Sequence, residues 1–294
     1  MIDTSYIEDY RRFLSDIRKA SENTISSYIR DITKFSAFIE TGRDRDFPNV
    51  KEDDIKLFIS SLEEKRRSPA TITRYIASLK SFYGCLLDGG VIGYNPTSNI
   101  SAAALGKELP NVLTGEEVNR LLEQPNATCK KGCRDRAMLE TLYATGLRVS
   151  ELLALDDTDI NLDTGLVSCR SNKERSIPVY TAAALAIEKY LTDARPVMAE
   201  PGEHALFVNT AGKRMSRQGF WKLLKGYAKT AQIDTDITPQ MLRNSFAAHL
   251  IENGVDMHVL QEMLGHADIS STQVYARVVK KQLKDVYNRA HPRA

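Results

Sequence analysis

The sequence predicts a mainly α-helical protein, an amino-terminal helical bundle followed by an α-helical domain that carries a small antiparallel β-sheet. Three observations carry that prediction. Apolar residues recur at three- and four-residue spacing through most of the 294 residues. One stretch, 160 to 179, alternates instead. Between the two helical regions, a tract of glycine, proline and small residues interrupts the periodicity.

Residues 1 to 88 read as four amphipathic helices. Tyr6, Tyr10, Phe13, Leu14 and Ile17 form the first apolar stripe. The second helix starts between Ser21 and Thr24, carries Ile25, Tyr28, Ile29, Ile32, Phe35, Phe38 and Ile39, and ends at Gly42. Asp53 opens a third with Ile55, Phe58, Ile59 and Leu62. Ser68-Pro69 opens the fourth, because proline's fixed φ and missing N–H suit a first turn; it carries Ile72, Tyr75, Ile76, Leu79, Phe82, Tyr83 and Leu86. Short connections between such helices imply a bundle. Thr71, Thr73, Arg74 and Lys80 lie on the outer side of the fourth helix. Hydroxyls and bases there suit phosphate contacts, and equally an ordinary solvated face.

From Gly89 to Pro110 the chain reads Gly-Gly, Asn95-Pro96, then SAAALGKELP. This is the expected linker, giving domains at 1–88 and 111–294 joined by 89–110. The second domain begins with Thr114, placed to cap a helix with a glutamate at its third position. A helix with Ala137, Met138, Leu139, Leu142 and Tyr143 closes at Gly146; Arg148 follows, before a helix with Val149, Leu152, Leu153 and Leu155. The alternating stretch turns at Asp163-Thr164-Gly165 and around Ser171 to Glu174, which predicts the sheet. His204 to Val208 reads as a short strand between two helices.

The last part is a series of short helices with glycine stops. Thr238-Pro239 starts a helix that buries Leu242, Phe246, Leu250 and Ile251 and stops at Asn253-Gly254. Asp256 caps another, with Val259, Leu260, Met263 and Leu264 inward and Gly265 at its end. Ser270 caps a third piece bearing Val274 and Tyr275.

Composition excludes several classes. Hydrophobic residues make up 42% and charged residues 27%, as in ordinary globular proteins. The start is polar and no long apolar run occurs, so neither a signal peptide nor a membrane span is expected, and the cytoplasm is the expected compartment. Cys85, Cys129, Cys133 and Cys169 read as free cytosolic thiols, because Cys129 and Cys133 lack a second pair with ligand spacing. The net charge of +2 says nothing about nucleic acid by itself. Basic residues do cluster at Lys65-Arg66-Arg67, at Lys130, Lys131, Arg134 and Arg136, and at Lys213, Arg214, Arg217, Lys222, Lys225 and Lys229.

Arg148, Arg243, His266 and Tyr275 suggest a chemistry if the fold brings them together. Two guanidiniums form a fork that holds non-bridging phosphate oxygens and opposes the charge of a pentavalent transition state. A tyrosine hydroxyl beside them can attack phosphorus, giving a phosphotyrosine and a freed sugar hydroxyl. With arginines supplying the positive charge, neither metal nor nucleotide cofactor is called for.

ATGLRVSELLAL around Arg148, TPQMLRNSFAAHLIENG around Arg243 and MLGHADISSTQVYARV around His266 and Tyr275 resemble the three signature boxes of the tyrosine recombinases, the phage integrase family, and among them the Xer-type chromosome-dimer resolvases. The resemblance implies an amino-terminal SAM-like core-binding domain that clamps DNA together with the catalytic domain. It also implies four protomers, alike or of two kinds, around two recombination sites, with or without an accessory protein. Tyr275 is then the nucleophile, Arg148 and Arg243 bind the scissile phosphate, and His266 hydrogen-bonds it. Residues 280 to 290, with Val286 and Tyr287, form an exchanged carboxyl-terminal helix.

Two departures stand out. Where the family pattern has a histidine three residues before the second arginine, this chain has Gln240, and the residue after that arginine is Asn244. A glutamine donates a hydrogen bond to phosphate but does not shuttle a proton. The family also carries a catalytic lysine in a Gly-Lys-Gly-x-Lys-Glu-Arg turn; here Cys169-Arg170-Ser171-Asn172-Lys173-Glu174-Arg175 puts Arg170 at that place. Either Lys173 swings in from the same turn as the general acid, or the proton comes from water.

The expected function is site-specific recombination through a 3′-phosphotyrosyl intermediate, in chromosome dimer resolution or in integration and excision of a mobile element. The protein would act at the nucleoid. The alternative is a DNA-binding synapsis partner with weakened or lost catalysis. A topoisomerase-like relaxing enzyme shares the chemistry but has no need of the exchanged helix.

Overall fold

The computed structural model describes residues 3–43, 45–101, 109–170, 174–265 and 272–276. They form two compact units, 1–108 and 109–294.

In the first unit, four helices surround one apolar core: α1 (Ser5–Arg12), α2 (Glu22–Arg43), α3 (Glu52–Glu64) and α4 (Pro69–Asp88). Aromatic rings fill its centre, with Phe82 edge-on to Tyr10, Phe47 and Tyr83 at centroid distances of 4.7–5.3 Å. Ser68 caps α4 by accepting from the Thr71 N–H, with Pro69 in the first turn. The expected inward position of Ile17 is not observed. A π-turn over Phe13–Ile17 follows α1, and its additional residue rotates the stripe, so Ile17 is 71% exposed. Beyond α4, Ile92 and Ile100 pack on the same core.

The second unit is built on α6 (Lys130–Thr145), which is buried on nearly every face. Around it lie α5 (Gly115–Glu123), α7 (Val149–Ala154), α8 (Thr181–Lys189), α9 (Arg195–Met198), α10 (Arg217–Thr230), α11 (Pro239–Glu252) and α12 (Met257–Leu264). Thr114 and Glu117 make the reciprocal cap of α5. A three-stranded antiparallel sheet, β1 (Ile160–Asn161), β2 (Leu166–Cys169) and β3 (Arg175–Pro178), runs in the order β1-β2-β3 and pairs Cys169 with Arg175. Val167, Cys169 and Ile177 turn its inner face to the core, as period-two alternation requires.

Two further expectations are corrected. Residues 204–208 form no strand: Ala205 and Val208 make isolated bridges to Asp156 and Arg214, while Leu206 donates to Leu155. Ala205 through Val208 are all buried, so the segment is wedged between two partners rather than laid flat on one. Val259 is exposed, because the inward stripe of α12 runs through Leu260 and Leu264, and the preceding position faces away.

Candidate functional site

The site is assembled where two helices end. Both α6 and α12 stop on a left-handed glycine, Gly146 at φ 58° and Gly265 at φ 63°. Such an end leaves backbone carbonyls without intrahelical partners and a partial negative charge. Arg243, on α11, occupies the space between the two ends: it donates through Nη1 to the Gly146 carbonyl at 2.6 Å and through Nη2 to the Leu264 carbonyl at 2.7 Å. Its side chain is almost wholly buried. Burial pushes its pKa down to about 10, and the neighbouring Arg148 pushes the same way, while Tyr275 and Glu151 oppose them. The guanidinium thus stays charged at neutral pH in a position that favours an added anion. Gly146 also admits Phe246: a Cβ there would lie 2.3 Å from the ring.

A second buried group, Glu151 of α7, ties the arginines together. Its carboxylate accepts from the Arg148 backbone N–H at 2.8 Å, the reciprocal half of a helix cap. It also accepts from the Arg148 Nη1 at 3.3 Å and from Arg175 at 3.0 and 3.3 Å, and it lies 3.8 Å from the Arg243 Nη1. Arg148 remains 46% exposed, whereas the Arg175 side chain is 8% exposed. Arg175 further donates through Nε to the Met263 carbonyl at 2.8 Å and through Nη1 to the Cys169 Sγ at 3.4 Å.

Tyr275 sits on a helical turn, residues 272–276, and packs with Phe246, Ala247, Leu260 and Leu264. Its hydroxyl donates to the Asn244 Oδ1 at 3.4 Å and accepts a hydrogen bond from Arg243. Burial raises the phenol above its ordinary pKa; the charge and hydrogen bond of Arg243, and the charge of Arg148, offset part of that rise. Gln240, one turn before Asn244 on α11, donates to the same Asn244 oxygen at 3.0 Å, and Asn244 reaches back to the Asn111 carbonyl at 3.4 Å.

The structure therefore brings Arg148, Arg243, Tyr275 and the Gln240–Asn244 pair into one cluster. Lys173, His266 and the expected exchanged helix with Val286 and Tyr287 lie outside the described residues. Arg170, at the family's lysine place, pairs at 2.7 Å with the buried Asp159. Several residues of the basic clusters are likewise partnered: Arg134 with Asp135, Arg136 with Glu140, Arg214 with Asp156 and Lys225 with Asp236. On the outer side of α4, both Arg74 bonds of 2.8 Å go to the buried Asp31.

Glu151 and Arg175 were not singled out from sequence. Glu151 had a local signal, since a glutamate three residues after a cap position closes a capping box. Arg175 had only its place at the end of the family's hairpin turn, which gives it no role; its partners Glu151 and Met263 lie 24 and 88 residues away.

Residues 111–282 match the family model described as "Phage integrase family", and residues 7–90 match "Phage integrase, N-terminal SAM-like domain". The chain is 45% identical over 293 residues to the tyrosine recombinase XerD of Oceanobacillus iheyensis, covering 98% of each chain. Its fold resembles the XerH site-specific recombinase bound to a palindromic difH substrate in a post-cleavage complex. That match has a TM-score of 0.77 and 22% identity, and covers 95% of this chain and 83% of the other. It also resembles a lambda integrase tetramer bound to a Holliday junction, with a TM-score of 0.72, 17% identity and coverage of 92% and 76%. Among the described residues, no helix is long and apolar enough to cross a membrane.

Proposed function

The chain belongs to the phage integrase family as a tyrosine recombinase of Xer type, and from that premise we propose how its own residues carry out strand exchange. The observation that carries the reading is the Arg243 guanidinium on the Tyr275 hydroxyl, with Arg148 half-exposed beside them. Arg148 and Arg243 hold the non-bridging oxygens of the scissile phosphate. The Tyr275 phenol gives its proton to solvent water. Its oxygen attacks phosphorus and forms the P–O bond of a 3′-phosphotyrosine; the bond to the 5′ oxygen breaks, and that oxygen takes up a proton and leaves as a sugar hydroxyl. Attack by another 5′ hydroxyl reverses the step and joins new strands without loss of phosphodiester energy.

Asn244 accepts from the attacking hydroxyl and so orients it, but an amide oxygen does not take its proton. Gln240 supplies a hydrogen bond toward phosphate. His266 hydrogen-bonds the phosphate, and Lys173 protonates the leaving oxygen. The partners are a double-stranded recombination site and further recombinase protomers, alike or of two kinds, in a tetramer at the nucleoid, with or without an accessory protein. The substrate is a chromosomal dimer site or the end of a mobile element.

Gln240 and the Arg170–Asp159 pair favour a second reading, a DNA-binding synapsis partner with weakened catalysis. A nicked suicide substrate separates the two. The first reading requires covalent attachment that Tyr275→Phe abolishes with DNA affinity nearly unchanged. Retarded DNA with no attachment on any substrate would leave the second.

A further inference from the structure

One carboxylate, Glu151, faces three guanidiniums, and the way its two oxygens are shared decides what Arg148 can do. Arg175 donates to both oxygens, at 3.3 Å to Oε1 and 3.0 Å to Oε2. Arg148, on the same helix end as Glu151, donates its Nη1 to Oε1 at the long distance of 3.3 Å. An arginine three residues from a glutamate, with no competitor, closes a tighter charge-assisted pair. A guanidinium paired in that way has less of its charge to offer a phosphate.

Arg175 has a second attachment. Its Nε holds the Met263 carbonyl while Arg243 holds the next carbonyl, that of Leu264. Two arginines from different elements thus grip successive residues at the end of α12. The fit is close: Gly265 lies so near that a Cβ there would be 2.9 Å from the Arg175 Nη1.

We infer that Arg175 is a positioning residue of strand cleavage, which occupies Glu151 and fixes the end of α12 so that Arg148 stays free to bind the scissile phosphate. The inference rests on the reading of Arg148 and Arg243 as phosphate ligands. Among the described residues, three guanidiniums and one carboxylate leave two positive charges, which match the two negative charges of the phosphorane that a tyrosinate forms on a phosphodiester. Arg175 touches neither the phosphate nor Tyr275 in this scheme; it acts through Glu151.

The test is single-turnover attachment to a nicked suicide duplex, measured with DNA affinity and thermal melting for Arg175→Gln, Glu151→Gln and the double variant. Arg175→Gln frees Glu151 to draw in Arg148, so the saturating attachment rate should fall roughly tenfold or more while DNA affinity, spread over many phosphates, stays near wild type. In the double variant the stray carboxylate is gone and glutamine still serves as a cap, so the rate should recover above that of Arg175→Gln. A merely structural arginine would give a double variant at or below the single, and that result overturns the inference, as does wild-type attachment by Arg175→Gln. If Arg175→Gln does not fold, Arg175→Lys decides: one ammonium cannot span Glu151 and the Met263 carbonyl, so attachment should fall with affinity kept, and a wild-type rate overturns the inference. Absence of attachment by the wild-type protein would instead count against the recombinase reading itself.

Discussion

On one side of Tyr275, Arg243 donates at 2.6 and 2.7 Å into the ends of two helices, and Arg175 donates at 2.8 Å into one of them. On the other side, two uncharged amides, Gln240 and Asn244, hold each other at 3.0 Å and the phenol at 3.4 Å. The arginine side is locked by helix ends and a buried carboxylate, so its positive charge is in place before substrate arrives. In the proposed mechanism the amide side would orient Tyr275 but move no proton, because neither side chain titrates in the neutral range. On that proposal the fold fixes the stabilisation of charge and leaves proton transfer to groups outside this pair.

The largest expected effect breaks the arginine side. Arg243→Lys places an ammonium where a planar fork bridged two helix ends, and attachment to a suicide substrate should fall on the order of 100- to 1,000-fold. A loss of less than about tenfold would mean that the fork is not needed.

Next comes Gly146→Ala, which forces a Cβ against Phe246 at a left-handed position and disturbs the carbonyl that Arg243 grips. It should lower stability by about 1–3 kcal/mol, read as a fall in melting temperature, with attachment impaired as well. An unchanged melting temperature would show that the α6 end yields easily.

The amide side is expected to gain. Gln240→His installs a group that exchanges protons near neutrality, so attachment should rise about tenfold and acquire an inflection near about pH 6.5. No change in either would place the proton limitation elsewhere.

The smallest effect is in the pH dependence of the unaltered protein. Burial holds the Tyr275 phenol above its ordinary range, so its ionised fraction, and with it the attachment rate, should climb from about pH 7 to about pH 9 without a plateau. A plateau below about pH 8 would contradict a buried, neutral phenol.

The fold was legible where local rules govern it. Ser68 before Pro69, Thr114 before Glu117 and the glycine stops at Gly146 and Gly265 each announce a helix boundary through a nearby hydrogen bond or a left-handed residue. Ile17 and Val259 were misplaced because a π-turn or a single-residue rotation changes a face without changing the apolar pattern. The reading of 204–208 failed for a related reason: a segment buried all round has the composition of a strand whether or not it pairs as one. In the site, Arg148, Arg243 and Tyr275 were visible as a set only through their boxes. Arg175 stands at the end of the hairpin turn that the family shares, but nothing local shows that it reaches a buried carboxylate rather than solvent.

The division between fixed charge and supplied proton is tested most directly with a suicide duplex carrying sulfur in place of the bridging 5′ oxygen, a leaving group that needs no proton. Single-turnover attachment by the wild-type protein and by Lys173→Ala should be accelerated to a common rate, at least about tenfold above that of wild type on oxygen, while Arg243→Lys stays slow on both substrates. Rescue of Arg243→Lys by sulfur, or a wild-type rate indifferent to the substitution, would contradict the account.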